Sequence, residues 1–134
     1  MANKTKGKIY PRDLTEIRQN IVEQGRDVSV RDMLDDNQLQ SAAFLAKSLS
    51  DSNRLRILLF LSEGRKSVSA IVEELDLSQP LVSHHLKELK HSLLVKVERE
   101  GSFVYYELAD LRILNVLRTL SKIARELLSD RNTF

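Results

Sequence analysis

The sequence predicts a mainly α-helical fold that carries one small β-hairpin near its carboxyl end. Two patterns predict it. Most apolar residues recur at three- and four-residue steps, as on one face of a helix, whereas residues 94–100 and 103–108 alternate with a period of two. Gly101 and Ser102 lie between the alternating segments and suit a tight turn. With 134 residues, 42% of them hydrophobic, the chain is long enough for a packed core.

Two helical segments are predicted in the first part of the chain. The first follows Pro11 and ends near Gly25, with its apolar residues spaced as on a helix. Ser29 and Asp32 have the spacing of a capping box and predict a second helical start. The apolar stripe of this second helix runs over residues 39–49.

The next segments predict a core helix and then two short helices joined by a turn. A near-continuous apolar run over residues 55–61 follows a cap at Asp51 or the next residue, and it predicts a helix buried on most sides. Ser69 is expected to cap a short helix. Ser78 is expected to cap another, with Pro80 in its first turn. This spacing is that of a helix-turn-helix.

The alternating segments directly follow the helix-turn-helix and predict a two-stranded wing. The complete prediction is therefore a winged helix-turn-helix, mainly α with a small β-hairpin. The side chains expected to face the core are Val95, Val97, Val104, Tyr106 and Leu108. Those expected to point outward are Phe103, Tyr105 and Glu107.

A long amphipathic helix after Asp110 closes the chain, and its apolar stripe is wider than one small domain would cover. An exposed stripe of this size favours a second copy of the chain as its cover, so a dimer is predicted. The residues predicted to hold the dimer are Leu114, Leu117, Leu120, Ala124 and Leu127. The predicted domains are a basic extension with helical segments at residues 1–36 and a winged helix-turn-helix domain at 37–134, which includes the dimerisation helix.

The composition argues against several classes of function. The chain has no cysteine, which excludes disulfides, thiol redox chemistry and thiolate metal sites. It contains neither a glycine-rich phosphate loop nor a Gly-x-Ser-x-Gly motif, so an enzyme is not expected. No apolar run approaches the ~18–20 residues of a membrane span and no signal peptide opens the chain, so a cytoplasmic location without a membrane partner is expected.

Three segments, in this order, resemble the ArsR/SmtB family. They are residues 49–58 (LSDSNRLRIL), 77–89 (LSQPLVSHHLKEL) and 100–108 (EGSFVYYEL). The resemblance covers roughly residues 38–128 and leaves residues 1–36 largely outside. It implies a dimeric winged-helix repressor that releases operator DNA when an inducer binds.

The chain departs from the pattern of this family at its metal sites. Many members sense metals through Cys-Val-Cys, where this chain has Ser67-Val68-Ser69, and hydroxyl groups are poor ligands for soft metals. Members that sense zinc or nickel use Asp and His pairs on the last helix, which has no histidine here. No metal and no cofactor are therefore expected. The glycine usual after the second helix is replaced by His91-Ser92, which leaves the geometry of the helix exit open.

The helix that Ser78 caps is expected to read DNA. A recognition helix needs short polar groups at the end that enters the ~12 Å wide major groove, and apolar groups behind them. His84 and His85 are poor joint metal ligands because neighbours on a helix point about 100° apart; we expect His84 to contact DNA and His85 to pack. The residues predicted to contact DNA are Ser78, Gln79, Ser83, His84 and Lys87 on the helix and Arg99, Gly101, Ser102 and Tyr105 on the wing. For Tyr105, structural packing is an equal alternative.

The predicted function is sequence-specific binding of double-stranded DNA by a homodimer that represses transcription. The expected partners are operator DNA, a second copy of the chain and a small-molecule inducer, with a constitutive repressor relieved by competition as the alternative to an inducer. The alternative function is a winged helix that binds another protein and has lost specific DNA binding. The mildly acidic middle of the chain keeps this alternative open.

Overall fold

The computed structural model describes residues 30–129 and residue 131. The chain divides into two units between Ser41 and Ala42. The predicted helix after Pro11 lies outside the described residues. The elements, in chain order, are a 3₁₀ turn (Val30–Met33), α1 (Asp36–Ser48), α2 (Ser52–Leu61), β1 (Lys66–Ser67), α3 (Val68–Leu75), α4 (Gln79–His91), β2 (Val95–Glu100), β3 (Phe103–Leu108) and α5 (Arg112–Leu128).

A capping box does open α1, but it lies later in the chain than predicted. The Asp35 amide donates to Oε1 of Gln38 at 2.8 Å, and the Gln38 amide donates to Oδ1 of Asp35 at 2.8 Å. These reciprocal bonds satisfy two amides at the helix start. The helical start predicted at Ser29 and Asp32 falls on the 3₁₀ turn and is not the start of α1: Asp32 belongs to that turn, and Ser29 lies outside the described residues.

Helix α2 begins as predicted and forms part of the core. The Asp51 side chain caps it by accepting hydrogen bonds from two backbone amides. Ile57, Leu58 and Leu61 are buried. The prediction of burial on most sides is wrong for Leu59, which keeps 54% of its surface exposed because nothing in this unit covers the outer face of the helix at that point.

The helix-turn-helix consists of α3, a short turn and α4. Ser67, rather than Ser69, caps α3: its Oγ accepts from the Ala70 amide at 3.1 Å. Asp76 ends α3 in the left-handed region at φ 54°, a conformation that aspartate tolerates better than most residues. Ser78 caps α4 as predicted.

The wing pairs β2 with β3 in antiparallel register, from Val95 opposite Leu108 to Glu100 opposite Phe103. Strand β1 pairs with the other edge of β3, so the sheet has three strands rather than the two predicted. A strand of two residues has no alternation for a periodicity argument to detect. Gly101 makes the turn of the wing with φ +62°.

The sheet faces follow the alternation that was predicted, though unevenly. Val95 and Leu108 are buried in the core, and Val97, Val104 and Tyr106 are half-buried beside it. On the other face Phe103 is exposed, whereas Tyr105 and Glu107, expected to point fully outward, are half-buried.

One hydrophobic core joins α2, α3, α4, the wing and the start of α5. Its buried members are Ile57, Leu58, Leu61, Ile71, Leu75, Val82, Leu86, Leu89, Leu94, Val95, Leu108, Ile113 and Leu117. Leu81, expected on the apolar side of α4, is exposed instead because it lies in the first turn, ahead of the packed residues. Among the described residues, no helix is both long and apolar enough to cross a membrane.

Helix α5 buries only Ile113 and Leu117 in this core. Leu120 and Leu127 keep 50% and 61% of their surface exposed, while Leu114 and Ala124 are half-buried. Of the five residues predicted to hold a dimer, Leu117 is thus buried in the core of its own chain, and Leu114 packs against the same core. The apolar face beyond it is open.

The exit of α4 uses a left-handed residue, but neither His91 nor Ser92 occupies that position. Leu93 does, at φ +64°, with 76% of its surface exposed. A branched side chain in this region is strained, and so exposed a side chain gains little from burial.

We therefore expect Leu93→Gly to raise the free energy of unfolding by about 0.5–1 kcal/mol, because relief of backbone strain outweighs the added freedom of glycine in the unfolded chain. Urea unfolding followed by circular dichroism measures the change. Leu93→Ala is the matched control: it removes the same side chain without removing the strain and should give no gain. A lower stability for Leu93→Gly than for Leu93→Ala would contradict the assignment.

Candidate nucleic-acid interface

Helix α4 presents two opposite faces. Its inner face is anchored in the core by Val82, Leu86 and Leu89, together with the buried His85. The residues predicted to contact DNA from this helix, all of them exposed, are Ser78, Gln79, Ser83, His84 and Lys87. Because residues four apart lie one above the other on a helix, Gln79, Ser83 and Lys87 form one line along the outer face, and His84 lies beside it.

The amino end of this line is structurally defined. Ser78 Oγ accepts a hydrogen bond from the Leu81 amide at 3.3 Å, which fixes the first turn of α4. The hydrophilic face thus begins at a capped, exposed helix start. Amides at such a start attract anionic groups, and short polar side chains there can reach base edges in a groove.

The wing residues form a second group, on a different element. Arg99, Gly101 and Ser102 are exposed at or next to the turn between β2 and β3. Within the described part of the chain Arg99 has no ion-pair partner. Tyr105 differs from these three, because it is half-buried and the Arg65 guanidinium lies 4.4 Å from the centre of its ring.

Arg65 is a residue of this region that the sequence analysis missed. It precedes β1, and its guanidinium bonds Glu98 at 3.0 Å and Glu100 at 2.8 Å. The hydrogen bonds that Arg65 donates to Glu100 and, to a smaller extent, to Glu98 raise the pKa of Arg65 above its ordinary value. No pattern in the sequence signals a contact between residues 33 positions apart.

His85 joins α4 to the start of α2. It is only 4% exposed, its Nε2 lies 3.8 Å from Oδ1 of Asp51, and neither ring nitrogen has a hydrogen-bond partner among the described residues. Burial lowers the pKa of His85; the Asp51 carboxylate opposes this effect, while the positive charge of Arg54 adds to it. The expectation that His85 packs while His84 faces outward agrees with this placement.

Arg54 and Asp51 connect this histidine to α1. The Asp51 carboxylate accepts from the Arg54 amide at 3.1 Å, and Arg54 Nε donates to the Ser48 carbonyl at the end of α1 at 2.7 Å. Burial raises the pKa of Asp51, but the hydrogen bonds from the Arg54 and Asn53 amides and the neighbouring His85 together lower it by more, so the net shift is a decrease. The described residues contain no group of three or more side chains arranged to hold a metal ion.

Comparison with known proteins identifies the family. The family profile described as "Bacterial regulatory protein, arsR family" matches residues 51–97, from the cap of α2 into the wing. An uncharacterised HTH-type transcriptional regulator of Methanocaldococcus jannaschii is 35% identical over 85 residues, which are 63% of this chain and 96% of that protein. The chain belongs to the ArsR family. The resemblance inferred from the three sequence segments is confirmed, and this ArsR-family fold is that of transcriptional regulators rather than enzymes.

Further relatives of this ArsR-family chain are also transcriptional regulators, and solved structures among them share its fold. A transcriptional repressor SmtB homolog of Synechocystis is 34% identical over 105 residues, covering 78% of this chain and 79% of that protein. The homodimeric winged helix-turn-helix DNA-binding domain from Mycobacterium bovis, solved by NMR, has a TM-score of 0.62 at 28% identity, over 75% of this chain and 96% of that one. The crystal structure of the transcriptional repressor BigR from Xylella fastidiosa has a TM-score of 0.62 at 27% identity, over 72% and 96%. The predicted winged helix-turn-helix is thereby confirmed.

The buried His85 makes stability depend on pH. Its pKa lies below its ordinary value of 6.5 in the folded state, so between those two values the unfolded chain binds more protons than the folded one. We expect the free energy of unfolding to be highest above pH 6.5 and to decrease as pH falls, by at most about 1.4 kcal/mol per pH unit from this group. Urea unfolding at a series of pH values from 7.5 to about 5 measures the slope.

His85→Gln should flatten this pH profile, whatever its effect on stability at neutral pH. The matched control is His84→Gln, which removes the exposed neighbour and should keep the slope of the unmodified chain. Parallel profiles for His85→Gln and the unmodified chain would show that another group carries the pH dependence.

Proposed function

We propose that this ArsR-family regulator is a homodimer that binds double-stranded DNA at an inverted repeat and represses transcription. The observation that supports it most is the outer face of α4, where Gln79, Ser83, His84 and Lys87 are exposed together while the inner face is locked in the core. A rigid helix with a polar, capped amino end is the shape that a major groove accepts.

Each exposed group on α4 has a chemical role in this proposal. The Gln79 amide can bond adenine through two hydrogen bonds, and Ser83 and His84 can contact base edges or phosphates. Lys87, a point charge on a long stem, suits a phosphate and carries no sequence preference. Ser78 caps the helix and can also reach a phosphate oxygen.

The wing supplies a second set of contacts. Arg99 is exposed and can enter a narrow minor groove or bind a phosphate. Gly101 and Ser102 let the backbone at the turn approach the duplex closely. Tyr105 acts in our proposal mainly as support for the wing, since Arg65 lies over its ring.

A dimer would present two such surfaces. The exposed apolar residues of α5 follow one another at three- and four-residue steps and form a continuous face: Val116, Leu120, Ile123 and Leu127. The Mycobacterium bovis domain of the same fold is described as homodimeric. We propose that α5 pairs with its copy and places the two α4 helices on successive major-groove faces, ~34–36 Å apart. Release is proposed to follow binding of a small molecule, because the chain has neither a cysteine for a thiolate-bound metal nor a histidine on α5 for a His and Asp metal site.

Fluorescence anisotropy with duplex DNA tests the binding. After selection of a preferred site from a random duplex pool, we expect submicromolar binding that weakens steeply with salt. Ser83→Ala with His84→Ala should reduce the preference for the selected site over random duplex by at least about a hundredfold, because base contacts are worth ~1–3 kcal/mol each and the dimer loses two side chains from each protomer.

Lys87→Ala should instead weaken binding to all duplexes alike and reduce the salt slope by about 1.8, because the dimer loses one phosphate contact in each protomer. Lys122→Ala, which removes the same charge from the exposed side of α5, is its matched control and should leave both quantities unchanged. Weak binding with no salt dependence in the unmodified chain would favour the protein-interaction alternative. Unchanged site preference in the double variant would remove α4 as the reading element.

Light scattering coupled to gel filtration tests the dimer. We expect twice the chain mass of 15.4 kDa for the unmodified protein and a monomer for Leu120→Glu with Leu127→Glu. Burying two carboxylates from each protomer in an apolar interface costs several kcal/mol, enough to weaken the dimer at least about a hundredfold. Asn115→Glu with Thr119→Glu adds the same charge to another, exposed side of α5 and should remain dimeric. A dimer that survives the leucine substitutions would place the interface elsewhere.

A further inference from the structure

We propose that Arg65 is a positioning residue for DNA binding: it holds the two wing glutamates, Glu98 and Glu100, and so leaves Arg99 free to meet the duplex. This inference rests on the proposed function, and it assigns a role to a side chain that lies outside both the recognition helix and the hairpin. We call the contact of Arg65 with Glu98, Glu100 and Tyr105 the wing clamp.

The wing has the wrong charge for a DNA-binding hairpin. Residues 95–108 contain Lys96 and Arg99 against Glu98, Glu100 and Glu107, which gives 2 − 3 = −1. Lys96 is already paired with Glu107 at 3.6 Å. Arg99 is therefore the one cation left in the hairpin, and a carboxylate precedes and follows it. A polyanion would be repelled by the pair of glutamates and attracted by the arginine at nearly the same place.

The strand geometry separates these charges onto two faces. Glu98 lies opposite Tyr105 and Glu100 opposite Phe103, on one face of the hairpin. Arg99 lies opposite Val104 and points to the other face. Near the exposed turn, however, rotation of a glutamate side chain could still bring its carboxylate to Arg99. A contact is therefore needed that holds both carboxylates on the face of Tyr105 and Phe103.

Arg65 is placed to do so. It comes directly before β1, whose residues Lys66 and Ser67 pair with β3, so its backbone is tied to the sheet beside the glutamate face. One terminal nitrogen of its guanidinium bonds Glu98 at 3.0 Å and the other bonds Glu100 at 2.8 Å. The central carbon of the guanidinium, Cζ of Arg65, lies 4.4 Å from the centre of the Tyr105 ring. The planar fork thus bridges two carboxylates while its flat face stacks on an aromatic ring.

This arrangement distinguishes the proposal from two simpler roles. A direct phosphate contact by Arg65 would require that it release carboxylates now bound to both of its terminal nitrogens. A purely structural role would depend on the bridge itself and not on the charges of the glutamates. In the wing clamp, Arg65 matters to DNA because Glu98 and Glu100 are negative.

The experiment compares four chains for binding to the selected duplex by anisotropy, with thermal unfolding measured in parallel: unmodified, Arg65→Ala, Glu98→Gln with Glu100→Gln, and all three substitutions together. We expect Arg65→Ala to weaken binding about fivefold to twentyfold, because two carboxylates become free beside Arg99. The double glutamine variant should bind at least as tightly as the unmodified chain. In that background, adding Arg65→Ala should change the affinity by less than about twofold.

Several results would overturn the wing clamp. An equal loss from Arg65→Ala in both backgrounds would mean that Arg65 contacts phosphate directly. A loss in the double glutamine variant as large as that of Arg65→Ala would mean that only the bridge matters. Unchanged affinity of Arg65→Ala would remove the role altogether. Arg112→Ala is the matched control, since it deletes an arginine from an exposed ion pair with Asp110 at the other end of the hairpin, and it should leave binding within about twofold. A comparable loss there would reduce the effect to net charge.

Failure of the proposed function gives a different result. If the unmodified chain binds no duplex with salt-dependent affinity, DNA binding itself is wrong, whatever the variants do. If the unmodified chain binds duplex DNA, but Arg65→Ala does not weaken binding more in the unmodified background than in the double glutamine background, the proposed function stands and the wing clamp is wrong.

Discussion

Burial of one side of α4 is the constraint on which the rest of the structure depends. Val82, Leu86 and Leu89 have no measurable exposure, and together with His85 they fix the rotation of the helix about its own axis. That rotation decides which side chains face solvent. A different rotation would bury Ser83 and Lys87 and expose leucines, so the polar surface and the core are two results of one packing arrangement.

Much of this arrangement could be predicted because it is local. Ser78 caps α4, Asp51 caps α2 and the wing alternates with a period of two, and each of these signals lies within a few residues. Two of the corrected predictions also concern local signals. A capping box was predicted for α1 and a serine cap for α3, and both exist, but at other residues than predicted. The observed caps are Asp35 with Gln38 for α1 and Ser67 for α3. Neighbouring residues have equally good capping side chains, and only the packing of the following helix decides which of them forms the cap.

The parts that could not be predicted depend on contacts between distant segments. The exposure of Leu59 and the burial of Leu117 follow from which elements happen to cover α2 and α5, a question that helical periodicity leaves open. Arg65 meets the wing only because a strand of two residues brings the loop before α3 against β3. The left-handed exit of α4 falls on Leu93, one residue past the substituted positions, because Ser92 still completes the last turn of the helix through bonds to Glu88 and Leu89.

Asp51 serves two helices at once. Its carboxylate accepts the first free amides of α2, and the same oxygen lies nearest to the buried imidazole of α4. If either α2 or α4 unfolds locally, the other helix therefore loses its contact with Asp51. We expect the amino end of α2 and the middle of α4 to unfold as one cooperative unit. The polar face of α4, which we propose binds DNA, is in this sense as rigid as the contact between Asp51 and His85 beneath it.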